Sequence, residues 1–369
     1  MRPFPESACL VPHTRFGRGH IAALPAACRP FGPHGLLVYG ESLQKNGTLD
    51  RLRRQARSHV EWTEWKHPGG EPALDQAEAL RTAARIAHAD WIAAVGGGSV
   101  LDLAKTAAGL FHEPGPVAAF FRGQAVTTQG LPFLAAPSTA GTGAEATPNA
   151  VLTDPQTALK KSIRHDRFMA RTVILDSALL AGSPPAVIAH AGMDAFTQAL
   201  EAFSSSTSNV WSGATALAAL RLIGASLPTV FRDSASPEAD SLLAGSHLAG
   251  IALAQARLGV VHGLAHPLGS FYRQPHGLVC AVCLPAALDL NRDSMGANYQ
   301  LLSDAVGRDI AAFTGQLLAT LQISNPFKGQ TILRKEEIVE QTLSSGSTAA
   351  NPKRITRADV EFLLSRLFS

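Results

Sequence analysis

His262 and His266 lie four residues apart in Val260-Val261-His262-Gly263-Leu264-Ala265-His266, and His276 follows in Gln274-Pro275-His276-Gly277. On a helix the first two share one face. Imidazoles so spaced can hold a divalent transition metal, particularly when a carboxylate joins them. Asp194 is the candidate carboxylate. It sits in an otherwise apolar helical stretch with Gln198 one turn later, where an unpaired charge would be costly. Plainer readings stay open: Asp194 as the cap of a helix starting after Gly192, and the histidines as hydrogen-bonded core residues. Cys280 and Cys283 also have metal-site spacing, but they lack a second cysteine pair and lie in an apolar run ending at Leu284. Both read as core thiols.

A second kind of chemistry is suggested by Gly96-Gly97-Gly98-Ser99, placed between the apolar run Trp91 to Val95 and the helical pattern Val100 to Leu110, with Ser99 or a neighbour positioned to cap that helix. Glycines there let backbone N–H groups approach an anion, and the helix N-terminus adds partial positive charge, so a pyrophosphate fits the turn. Leu101 stands where the G-x-G-x-x-G fingerprint needs its third glycine. A purely structural tight turn is the alternative. Pro137-Ser138-Thr139-Ala140-Gly141-Thr142-Gly143-Ala144-Glu145 follows another strand and would place hydroxyls beside whatever binds at the strand ends; an ordinary polar loop is the other reading.

The elements that must position these residues change character along the chain. Gly35 to Tyr39, Trp91 to Val95, Pro132 to Ala136 and Thr172 to Leu175 read as buried strands, alternating with helical patterns such as Leu74 to Ala89. That alternation predicts a parallel sheet covered on both faces. After Ser183-Pro184-Pro185 long Ala/Leu helices take over, at Ile188 to Phe203, Ser212 to Ile223 and Ala239 to Arg257, and a loop from Ser344 leads to a closing amphipathic helix. The division expected is an α/β dinucleotide-binding domain at 1–181 and an all-α, metal-binding domain at 182–369.

Composition sets outer limits. The 369 residues include 46% hydrophobic and 17% charged side chains, those of a folded protein with a large core. Net charge is +3, from 32 Lys and Arg against 29 Asp and Glu, too small an excess to expect nucleic acid as partner. The cluster Arg51, Arg53, Arg54 and Arg57 has the spacing of a solvated helix face. Four cysteines, at 9, 28, 280 and 283, make no disulfide framework, which suits a reducing cytoplasm. Glu6 and two prolines stand where a signal peptide would be apolar, and Arg221 interrupts the run Trp211 to Leu227, so neither export nor membrane insertion is expected.

Together these motifs resemble the iron-containing (group III) alcohol dehydrogenase family, of the dehydroquinate synthase-like superfamily. The resemblance spans nearly the whole chain: Phe16-Gly17-Arg18-Gly19, Gly69-Gly70-Glu71-Pro72, GGGSVLDLAK at 96–105, PSTAGTGAEAT at 137–147, GMDAFTQALEAF at 192–203, HGLAHPLGSFYRQPHG at 262–277 and Asn351-Pro352. It implies a nicotinamide cofactor in a cleft between an α/β and an all-α domain, with a divalent metal, Fe2+ or Zn2+, at its floor. By position, Gly97, Gly98 and Ser99 would hold the pyrophosphate with Asp102 just behind. Ser138, Thr139, Thr142, Thr147 and Lys160 would line the phosphate, ribose and nicotinamide region, and Leu179 would pack near the adenine.

Asp194, His262 and His276 match three of the family's four usual ligands, and His266 matches the neighbouring active-site histidine, a proton relay. The fourth ligand position, one turn after Asp194, carries Gln198 where the family has His; its carbonyl oxygen is a weaker, neutral ligand, while two His and one carboxylate already form a competent set. Members favouring NAD tend to have Asp at the position of Gly40; Gly40, with Ser42 and Lys45 nearby, resembles the NADP(H)-tolerant form, with NAD(H) open through Glu41. The function implied is a metal-dependent NAD(P)-linked alcohol dehydrogenase or aldehyde reductase acting on a small alcohol or carbonyl, in a homo-oligomer by family analogy. Alternatives are a reductase for a charged carbonyl, such as an oxo acid like maleylacetate or a phosphonate aldehyde, with or without metal, using Arg122, Arg164, His165 or Arg273, and a degenerate cofactor-binding homologue that lost catalysis.

Overall fold

The computed structural model describes residues 3–5, 8–157 and 159–369. Its strands are β1 (His13–Phe16), β2 (His34–Tyr39), β3 (Glu61–Lys66), β4 (Trp91–Gly96), β5 (Phe133–Pro137), β6 (Asn149–Thr153), β7 (Lys160–Arg164) and β8 (Thr172–Leu175). Six of them form one sheet in the order β1-β8-β5-β4-β2-β3, with every pairing parallel. β6 and β7 form a separate antiparallel pair. The four strands expected from apolar runs are all present. β4, β5 and β8 are buried along their whole length, as strands covered on both faces require.

Two compact units are present. One comprises residues 9–139 and 144–182 and contains the sheet; the other comprises 183–369 with 140–143 and the described N-terminal residues. The α/β-plus-helical architecture is thus the one expected. In the first unit, side chains from both ends of the sequence order pack together: Leu24, Leu37, Leu49, Leu52, Trp91, Val95, Leu134 and Ile174 share one core. Lys105 is fully buried there. Its ammonium donates to the carbonyls of Ala144, Thr147 (2.9 Å) and Asn149 (2.8 Å), which ties the helix Gly98–Gly109 to the loop entering β6.

The second unit is built on the helices Pro185–Ser204, Val210–Arg232, Ala239–Ala256, Val260–Tyr272 and His276–Met295. The expected helices are all found, and Ser212 to Ile223 extends at both ends. Val210–Arg232 is long and apolar enough, by length and composition alone, to cross a membrane, with an 18-residue window of mean hydropathy 1.5. Arg221 therefore does not interrupt the run enough to remove it from that class. Its buried residues Ser212, Ala216, Ala219, Ile223, Leu227 and Val230 recur at three- and four-residue intervals, the stripe of a helix packed on neighbours; it lies against Pro185–Ser204 and Ala239–Ala256. The closing helix is Arg357–Phe368, and Lys335–Ser344 forms a further helix just before the expected loop.

Candidate functional site

Asp194 lies in the middle of Pro185–Ser204 and is 3% exposed, so it is no helix cap. His262 and His266 lie on Val260–Tyr272, and His276 opens His276–Met295. These helices bring His262 Nε2 to 3.3 Å and His276 Nε2 to 3.7 Å from the same oxygen, Asp194 Oδ1. The ring of His266 stacks on that of His276, centroids 5.2 Å apart and planes 20° from parallel. Gln198, one turn after Asp194, is buried with its Oε1 unpaired.

Two residues of this cluster were not singled out as functional in the sequence. Glu201 Oε2 lies 2.6 Å from His262 Nδ1, and its Oε1 accepts the Val261 N–H at 2.7 Å. A carboxylate can only accept here, so Nδ1 carries a hydrogen and Nε2 is the ring nitrogen turned toward Asp194. Asp194, Gln198 and Glu201 occupy one face of their helix at i, i+4 and i+7, the signal that would have found Glu201. Cys280, read above as a core thiol, is indeed buried, but its Sγ lies 3.6 Å from His276 Nε2. Ligand atoms of Asp194, His262, His276 and Cys280 all fall within 4.8 Å of one another. Its place one turn after His276 was the missed signal. Cys283 is buried as expected.

Nε2 of His262 and Oδ1 of Asp194 face each other in a dry environment, so a positive charge belongs between them, a proton on Nε2 or a metal ion in its place. The electrostatics agree. Burial pushes the Asp194 carboxyl up, but the His276 and His262 imidazoles together more than reverse this and hold it below the usual carboxylate range. Burial likewise opposes charge on His262, and the neighbouring Cys280, Asp194 and Glu201 overcome it, raising its proton affinity well above the ordinary. Desolvation dominates at Cys280 and pushes the thiol up to about 11. Two imidazoles, a carboxylate, a thiol and an orphaned amide oxygen around one point are a donor set suited to a divalent transition metal.

Helix contact sets the spacing of the cluster. A Cβ added to Gly277 would overlap the carbonyl oxygen of His190 and lie 3.3 Å from Asp194 Cβ. Gly277→Ala is therefore expected to force apart the helices carrying Asp194 and His276, costing about 1–3 kcal/mol of stability. A urea titration should show that loss, and zinc affinity should fall with it.

The nucleotide-type residues gather at the carboxyl ends of adjacent strands. Gly40 follows β2, Gly97 follows β4, Ser138 follows β5, and Leu179 lies in the short helix after β8. The helix Gly98–Gly109 has Gly97 at its N-cap and no side-chain cap; Ser99 lies inside its first turn and caps nothing. Gly98 is thus the first helical residue, leaving the turn's backbone as the anion-facing feature. Gly40 has ordinary extended backbone, φ −87°, and a Cβ there would only touch Val100 at 3.5 Å. Ser42 is exposed beside it, and Glu41 pairs with Lys45 at 3.0 Å.

Other expected contacts have partners within the protein. Asp102 accepts the Val151 N–H at 3.1 Å, Thr147 is buried against Lys105, and Lys160 pairs with Glu71 at 2.6 Å. Thr139 lies 3.4 Å from where a Gly97 Cβ would stand. Thr142 is exposed, in the segment 140–143 that groups with the helical unit. Arg122, Arg164 and Arg273 are exposed and His165 is half-buried.

Comparison with known proteins decides the family. Residues 12–177 match the iron-containing alcohol dehydrogenase family and residues 188–368 match the C-terminal region of the Fe-containing alcohol dehydrogenases. The chain belongs to the iron-containing alcohol dehydrogenase family. Among curated members of that family, the probable alcohol dehydrogenase EutG of Salmonella typhimurium is 35% identical over 286 residues, covering 76% of this chain and 72% of its own. A crystal structure of 1,3-propanediol oxidoreductase superposes with a TM-score of 0.93 at 27% identity, over 98% of this chain and 99% of that one. Sulfoacetaldehyde reductase from Bifidobacterium kashiwanohense, solved in complex with NAD+, gives 0.92 at 25% identity, over 98% of each chain.

Proposed function

We propose that this member of the iron-containing alcohol dehydrogenase family is a metal-dependent, NAD(P)-linked alcohol dehydrogenase or aldehyde reductase acting on a small alcohol or carbonyl. The observation that carries the reading is the approach of Asp194, His262 and His276 to one ion-sized point. The relatives support it, as alcohol and aldehyde oxidoreductases, one of them solved with NAD+. The helical domain, 182–369, would carry the metal and the α/β domain, 1–181, the dinucleotide.

A divalent ion bound there polarises a carbonyl oxygen or acidifies an alcohol, and a nicotinamide gives or takes the hydride. Asp194, His262 and His276 would hold the ion, with Gln198 at the position of the family's fourth ligand. Asp194 contributes negative charge, and Glu201 keeps His262 in the tautomer that leaves Nε2 free. His266, stacked on His276, would add a third imidazole next to the ligand set, where it could carry a proton to or from solvent. Gly97, Gly98 and Ser99 would receive the pyrophosphate at a helix N-terminus, and Ser138, Thr139, Thr142, Thr147, Lys160, Asp102 and Leu179 would surround the rest of the dinucleotide. Four free thiols favour a cytoplasmic setting, and a homo-oligomer follows the family.

The test is oxidation of NADPH and NADH by the metal-loaded protein across a panel of short aldehydes. Turnover that chelation abolishes and Zn2+ or Fe2+ restores is expected; no turnover with any aldehyde would overturn the reading and favour a non-catalytic binding protein. Cofactor choice has its own test. Gly40 has room for a side chain, and a carboxylate there would repel a 2′-phosphate while accepting from a 2′-hydroxyl. Gly40→Asp is expected to move the NADPH-to-NADH ratio of kcat/KM toward NADH by about tenfold or more, about 1.4 kcal/mol.

A further inference from the structure

We propose that Cys280 Sγ is a ligand of the ion, so that two imidazoles, one carboxylate and one thiolate hold it, the thiolate rather than Gln198 completing the set. This rests on the reading above that Asp194, His262 and His276 bind a metal. The distances carry it. With metal–nitrogen and metal–oxygen bonds of about 2.1 Å and a metal–sulfur bond of about 2.3 Å, the edges of a tetrahedral site are about 3.4 Å for N···O and about 3.6 Å for S···N. The observed edges are 3.3 Å for His262 Nε2 to Asp194 Oδ1, 3.7 Å for His276 Nε2 to Asp194 Oδ1 and 3.6 Å for Cys280 Sγ to His276 Nε2. Three of the six edges of a four-ligand site thus match, and the ligand atoms of the other three pairs lie within 4.8 Å of each other.

Local structure explains how sulfur comes to be there. Cys280 is one turn after His276 on the helix His276–Met295, so the two side chains leave the same face. Cys283 is equally buried and lies on that helix, yet it does not join the cluster among the described residues. Gln198 supplies only a neutral amide oxygen, a weak donor beside a thiolate for zinc. On binding, the Cys280 S–H loses its proton to solvent and the sulfur lone pair goes to the ion, with no change of oxidation state. A thiolate also biases the site toward zinc or cobalt over ferrous iron.

The experiment uses the full chain, stripped of metal and titrated with Co2+ and, separately, Zn2+. Wild-type protein is expected to bind one Co2+ per chain with an intense near-ultraviolet thiolate-to-cobalt charge-transfer band; C283S should keep the band, and C280S should lose it while still binding cobalt with about tenfold weaker affinity or worse. X-ray absorption of the wild-type zinc form should show one sulfur at about 2.3 Å, which keeps the test decisive if C280S does not fold. Bound cobalt with only weak visible bands, or a zinc shell without sulfur, would overturn the thiolate ligand and leave the Asp-His-His site standing. No stoichiometric metal binding would overturn both.

Discussion

Replacement of His276 by alanine is expected to abolish metal uptake and to lower kcat/KM by about four orders of magnitude, about 5.4 kcal/mol of transition-state stabilisation, while the protein stays folded. Nε2 of His276 reaches the same Asp194 oxygen as His262 from a different helix, so its loss opens one side of the donor set. His276 is also the less embedded of the two, with its side chain 23% exposed against 3% for His262. Truncating it should cost the fold no more than about 1 kcal/mol. His262→Ala is a harsher change, because it leaves Asp194 and Glu201 buried without the ring that separates them, a loss of about 3–5 kcal/mol. Metal content by mass spectrometry, read beside a urea titration of each variant, separates lost binding from lost folding.

The second large effect is expected at Glu201, a positioning residue that touches neither ion nor substrate in this account. Its two oxygens bind His262 Nδ1 and the Val261 N–H, so one carboxylate fixes both the ring and the start of the helix that carries it. Glu201→Gln keeps the volume but can turn its NH2 toward Nδ1, favouring the tautomer with hydrogen on Nε2, which points at the ion. Zinc affinity is expected to fall about 10- to 100-fold, with stability nearly unchanged. Glu201→Ala should show the same loss together with about 2–4 kcal/mol of destabilisation, from two buried donors left unpaired. A purely structural Glu201 would give the stability loss in both variants and leave the zinc affinity of folded protein intact. Competition titration with a chromophoric chelator reads the difference.

The sequence made the sheet legible wherever both faces are covered, because burial on two sides writes a strand as an unbroken apolar run. Trp91 to Val95 and Thr172 to Leu175 are such runs. β3, Glu61-Trp62-Thr63-Glu64-Trp65-Lys66, lies at the sheet edge and alternates with charges, and β1, His13-Thr14-Arg15-Phe16, is exposed at the opposite edge; neither carries that signature. At the candidate site, Asp194, His262 and His276 stood out because a polar residue in an apolar helix needs a partner. Cys280 did not, since a thiol in Val279-Cys280-Ala281-Val282 is indistinguishable by polarity from core packing. Only the crossing of its helix with Pro185–Ser204 tells the two apart. Glu201 was hidden for the related reason that its partner ring lies 61 residues along the chain.

The most direct measurement is anomalous diffraction from crystals of the zinc-loaded protein, collected on both sides of the zinc edge. One strong anomalous peak is expected, bonded to Asp194 Oδ1, His262 Nε2 and His276 Nε2. A fully zinc-loaded, active crystal with no peak between those three atoms, or with its zinc elsewhere, would contradict it.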